Sequence, residues 1–115
     1  MEDMLKEQKS IFYTAIFEYC GSKLLQLSDF DLEGVIYEDF MFHYTDINDY
    51  LIDYLLKHNV LTKEIANKAL KIRQLSDKVF SDDCEFSAKF IRQSVEWQTI
   101  FRLADEIQNE LKLEL

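Results

Sequence analysis

Residues 82–111 read DDCEFSAKFIRQSVEWQTIFRLADEIQNEL, and their periodicity decides the fold class. Phe86, Phe90, Trp97, Ile100, Phe101, Ala104, Ile107 and Leu111 recur at helical spacing and make one apolar stripe. Asp82, with Glu85 three residues on, has the spacing of a capping box and marks the helix start. The stretch predicts one helix of about 28 residues, roughly 42 Å at 1.5 Å per residue. Trp97 is its expected core anchor. A stripe that long needs shorter helices laid along it.

The chain before it supplies them. A first helix is expected from about Asp3 to Cys20, burying Leu5, Phe12, Ala15, Ile16, Tyr19 and Cys20. Gly21 either ends it as a C′ residue, with residues 22–27 as a further turn, or is carried through at about 1 kcal/mol. Both readings stand on sequence alone. Ser28 reads as an N-cap, with Asp29 and Asp31 in the first turn, where the helix dipole favours acids. Over 29–44, Glu38 and Asp39 break any strand alternation in both registers. A helix is expected there, with Ile36, Phe40 and Tyr44 on one face and Leu32, Val35 and Phe42 opposite. Thr45 is the expected cap of a third helix that ends at Lys57 and His58, with Asn59 in the left-handed C′ position. Thr62 caps a fourth, with Leu61 stapled against Ala66. It buries Ile65, Ala69, Leu70, Ile72, Val79 and Phe80, and turns Lys63, Lys68, Lys71 and Lys78 outward. The reading is an all-α fold, a single-domain bundle of about five helices over residues 1–115 with a long C-terminal helix.

Composition agrees. The 115 residues are 48% hydrophobic, enough for one core despite a net charge of −9, and proline is absent. No apolar run approaches the roughly 18 residues that span a bilayer, and the first fifteen residues mix charged with apolar groups. A cytoplasmic protein with no membrane association is expected. Cys20 and Cys84 lack a CxxC partner and read as small core residues in a reducing compartment.

The charge is uneven. Residues 29–59 carry a net −7 and residues 60–80 a net +3, and no Lys or Arg stands between Lys23 and Lys57. Eight acids and seven aromatics share residues 29–56. At 100° per residue Asp46, Asp49 and Asp53 fall within about 60° of one another on the third helix, with Tyr50 at their edge. Ile47, Leu51 and Leu55 form the opposite, buried stripe.

Chemistry is less legible. Asp29-x-Asp31-x-Glu33-Gly34-x-Ile36 resembles the opening of a calcium-binding EF-hand loop, yet Phe40 stands where the closing bidentate Glu belongs, so no calcium site is expected. His43 reads as a boundary residue and His58 as a helix-end residue. Neither has the partners of a zinc site. The short turn before Lys63, Lys68, Lys71 and Arg73 resembles a helix-turn-helix, but it lacks glycine and its acidic surroundings repel phosphate, so no nucleic acid is expected. No nucleophile–base pair or phosphate loop suggests an enzyme, and no catalytic residue, cofactor or metal is assigned.

Size, charge and the acidic-aromatic surface resemble those of small acidic immunity proteins and antitoxins. That resemblance implies an inhibitor masking the basic active site of a nuclease-like toxin. Asp46, Asp49, Tyr50 and Asp53 are the expected anchors of a basic protein partner, with Glu38, Asp39 and Phe42 contributing. The alternative is a non-enzymatic interaction or assembly subunit, homodimeric in one version, that uses the same surface. The sequence leaves the oligomeric state open.

Overall fold

The computed structural model describes residues 2–40, 44–81 and 87–112. Among them are seven α-helices and no strand. They are α1 (Glu2–Tyr19), α2 (Gly21–Leu24), α3 (Asp29–Val35), α4 (Asp49–Lys57), α5 (Lys63–Ser81), α6 (Ala88–Gln93) and α7 (Val95–Lys112). A π-helical turn, Ile36–Phe40, extends α3, and a 3-10 turn, Tyr44–Asp46, precedes α4. The C-terminal α7 is the spine, packing most extensively on α5 and then on α1 and α2. Trp97 is buried at its N-terminal end, edge-on to Phe80 of α5 with ring centroids 5.6 Å apart.

Several local signals act as read. The Asp31 N–H donates to Ser28 Oγ at 3.2 Å, and the Ile65 N–H to Thr62 Oγ1 at 3.2 Å. Asn59 adopts φ 60°, the Val60 N–H donates to the Leu55 carbonyl and the Asn59 N–H to that of Leu56. Together these close α4 with a full Schellman motif. Over 29–40 the helical reading holds, but its faces differ. Leu32, Ile36 and Phe40 share one buried stripe, while Tyr37, Glu38 and Asp39 face outward. The wider π turn brings Phe40 against Tyr19, with ring centroids 4.2 Å apart.

Three expectations are corrected. The last helix is broken, because Ser94 is extended (φ −70°, ψ 129°) and begins α7 as its N-cap, its Oγ accepting from the Trp97 N–H at 3.3 Å. The Ile91 carbonyl, which an unbroken helix would pair with the Val95 N–H, accepts from Gln98 Nε2 instead, at 3.0 Å. The break rotates the stripe, so Ile91 is buried and Phe90 is 42% exposed. The 18-residue α7 is therefore about 27 Å long, not 42.

The first helix ends ahead of Gly21 and a further turn follows, as the first of the two readings has it, but Gly21 is not a left-handed C′ residue. Cys20 is extended and Gly21 starts α2, with no positive φ. A Cβ at Gly21 would meet Phe101 Cβ at 2.7 Å, so glycine is needed for close approach to α7. There Asp105 accepts from the Ser22 N–H (3.0 Å) and hydroxyl (2.9 Å), pinning α2 to the spine.

Thr45 does not cap the helix that follows it. Asn48 does, its Oδ1 accepting from the Leu51 N–H at 2.9 Å. The Thr45 and Ile47 carbonyls, which a helix begun at Thr45 would bond to residues 49 and 51, are taken by Arg73 Nη1 of α5 at 3.3 and 2.9 Å. The helix thus starts three residues later than read, and a distant guanidinium holds the turn before it. The capping box at Asp82 and Glu85, together with Met41, Phe42, His43, Cys84 and Phe86, lies outside the described residues.

Candidate protein-binding face

α4 is held by Leu51, Ile52 and Leu55, all buried, and this anchoring turns Asp49, Tyr50 and Asp53 to solvent. Tyr50 is 66% exposed. Its ring lies at 25° to that of Tyr54 with centroids 6.5 Å apart, and Tyr54 lies 4.4 Å from the His58 ring. One edge of α4 is therefore a row of three rings, bordered by carboxylates. Among the described residues neither Asp49 nor Asp53 has a hydrogen-bonding or cationic partner, so both charges are available to another molecule.

The four expected anchors are not one ridge. Asp46 sits on the 3-10 turn and lines a hollow against α1 with Ser10, Ile11, Thr14, Ala15 and Glu18. Asp49 and Tyr50 face α5 across a cleft of about 670 Å³, lined also by Asn48, Leu70, Arg73, Gln74 and Asp77. Glu38 and Asp39 are exposed on the π turn, a separate element that packs with α3. Phe42 lies outside the described residues. The assembled portion of the site is Asp49, Tyr50 and Asp53.

Other acids of residues 29–56 are engaged within the fold. Asp29 Oδ1 accepts from Arg92 Nε at 3.1 Å, and Glu33 Oε1 from the Ala88 N–H at 2.8 Å. The residues resembling an EF-hand opening therefore belong to a helix whose carboxylates hold α6. Among the described residues no group of three His, Cys, Asp or Glu side chains is arranged to hold a metal ion, and no helix is long and apolar enough to cross a membrane.

Arg73 is the residue that sequence reading undervalued. Its Nε donates to Asp77 Oδ1 at 3.0 Å and its guanidinium lies 5.5 Å from the Tyr44 ring centroid. With its two carbonyl bonds it fixes the 3-10 turn to α5 and forms one wall of the cleft beside Asp49. The i,i+4 spacing to Asp77 is readable in sequence, whereas the carbonyl contacts are not. No protein-family model, no curated protein and no solved structure matches this chain.

Proposed function

We propose that this protein is a non-catalytic inhibitor of a basic protein, of the immunity or antitoxin type, and that α4 carries the contact. The supporting observation is a two-thirds exposed tyrosine between two carboxylates that have no partner among the described residues. Such a face attracts a basic surface over distance, and its rigid ring contributes contact area at little entropic cost. A nuclease active site, rich in Lys and Arg for phosphate, is the matching chemistry. Covering that cleft excludes nucleic acid without any reaction on the inhibitor.

Affinity capture from native cells, followed by mass spectrometry, tests the reading, with the Asp49→Asn/Tyr50→Ala/Asp53→Asn triple variant run in parallel. The expected result is a basic protein held by the native chain, lost with the variant, and inhibited in nucleic-acid cleavage when rebound. Association slows as salt rises, because the field is screened beyond about 8 Å at physiological ionic strength. An acidic partner, or one held equally by the variant, overturns the proposal. Self-association that buries α4 instead points to an assembly subunit.

A further inference from the structure

We infer that the cleft between α4 and α5 is a receptor for an arginine side chain of the partner, with the guanidinium lying against Tyr50 beside Asp49 and Asp77. This rests on the α4 reading and names the group that α4 recognises. The cleft combines features that a guanidinium uses together. Asp49 offers a carboxylate without a partner among the described residues, and Tyr50 offers a largely exposed ring. Leu70 lines the cleft with an apolar surface for the methylene stem, and Asn48 and Gln74 add amide groups. At about 670 Å³ the cleft is within the size range of pockets that hold small ligands, so it admits a side chain with its flanking backbone.

Arg73 lines the same cleft and must be reckoned with. Its charge is already met by Asp77 and by two backbone carbonyls, and its side chain is three-quarters covered. Asp77 is about half exposed, and its second oxygen, Oδ2, has no hydrogen bond among the described residues. The lining therefore keeps one carboxylate in excess, and Asp77 is placed to bridge the resident guanidinium and an incoming one. Arg73 with Asp77 and the Tyr44 ring also shows, inside this fold, the combination of carboxylate and aromatic face that the cleft offers a second arginine. Lysine suits the cleft less well, because a compact, strongly hydrated ammonium neither lies flat on a ring nor forms a planar fork with a carboxylate.

The test needs no partner protein. The capped tripeptides Gly-Arg-Gly and Gly-Lys-Gly are titrated to tens of millimolar against the ¹⁵N-labelled full chain, with amide shifts followed. The arginine peptide is expected to move residues 48–50 and 70–77 and to bind roughly twofold to fivefold tighter than the lysine peptide, the gain expected from an exposed cation–π contact. Asp49→Asn and Tyr50→Leu should each weaken arginine binding by a similar factor, with thermal melts confirming that both variants fold. Asp31→Asn, an exposed acid on α3 outside the cleft lining, should leave binding within about twofold, the lower limit of such a contact. Equal affinity for the two peptides, an equal effect of Asp31→Asn, shifts centred elsewhere, or no shift at all overturns the inference. Because the titration uses isolated peptides, the cleft can fail while a basic partner still binds α4. It can also succeed where no inhibited nuclease is found, so the two readings fail separately.

Discussion

Two acidic regions of this molecule put their carboxylates to opposite use. Along the α5–α7 seam, Lys68 Nζ lies 3.2 Å from Glu106, 3.5 Å from Glu110 and 3.5 Å from Glu64. Expected to face outward, Lys68 is instead only 19% exposed at its side chain, and it ties the two most extensively packed helices together. On α4, neither Asp49 nor Asp53 has such a cation among the described residues, and Tyr50 stands clear of the core. The same residue type thus stabilises the fold in one place and remains available for recognition in the other. The contrast teaches that net charge points to open carboxylates only after those engaged within the fold are set aside.

The sharpest way to break the contrast is to damage the seam and spare the face. Trp97→Ala removes the largest fully buried side chain and should cost about 3–5 kcal/mol, measured as a fall in the denaturant midpoint. Native tryptophan emission should be blue-shifted, and an emission maximum like that of free tryptophan would contradict the core placement.

Gly21→Ala is next. The added methyl would clash with Phe101 Cβ, within the backbone packing of α2 on α7, and should cost about 1–3 kcal/mol by overpacking. An unchanged melting temperature would show that α2 can withdraw from the spine, and that this end of the seam is looser than its geometry implies.

Lys68→Met should cost about 1 kcal/mol at neutral pH, the upper part of the range for an exposed pair, because three carboxylates lose their shared cation. Its pH dependence is more telling. The hydrogen bond from Lys68 chiefly lowers the Glu106 pKa, against the upward push of burial, with Lys68 and Arg102 charges adding to the fall. That stabilisation is present above the ordinary Glu value of 4.5 and is lost as pH falls through the lower, folded value. Burial by itself would lower the Lys68 pKa, but Glu106, Glu110 and Glu64 more than offset it. The net rise gives a contribution that is complete below 10.5 and lost above the folded value. In Lys68→Met the acid-side loss should shrink or reverse, because protonation then relieves carboxylate repulsion. Parallel acid titrations of native and variant protein would refute the seam's role.

The smallest expected effect on stability is at the face. Tyr50→Ala should change it by less than about 0.5 kcal/mol, as for an exposed surface site, while removing the ring proposed to meet the partner. A larger loss of stability would mean that the stack with Tyr54 supports α4 and that the face is not free for recognition.

Legibility in the sequence follows the range of the interaction responsible. The Ser28 and Thr62 caps, the Asn59 stop and the part of the stripe from Trp97 to Leu111 depend on residues a few positions apart, and each is found in place, whereas Phe90 is turned out of the stripe. Asp49, Tyr50 and Asp53 share an outward face because their spacing lies within one regular helix. Asp46 leaves them because its segment never enters that helix. Further serine caps at Ser87 and Ser94 stand in the chain, but continuous apolar spacing obscures them.

By itself the sequence determined an all-α fold with a C-terminal spine, because periodicity and capping are local and additive along the chain. Only the tertiary structure decided where the third helix begins, how closely α2 approaches the spine and which charges remain open. Arg73 reaches from α5 to the carbonyls of Thr45 and Ile47, Arg92 reaches from α6 to those of Leu25 and Leu27, and Phe101 forbids a side chain at Gly21. Each competes for backbone groups or space that a local reading assigns to the continuing helix. These contacts join residues far apart along the chain, so no reading of neighbouring residues registers them.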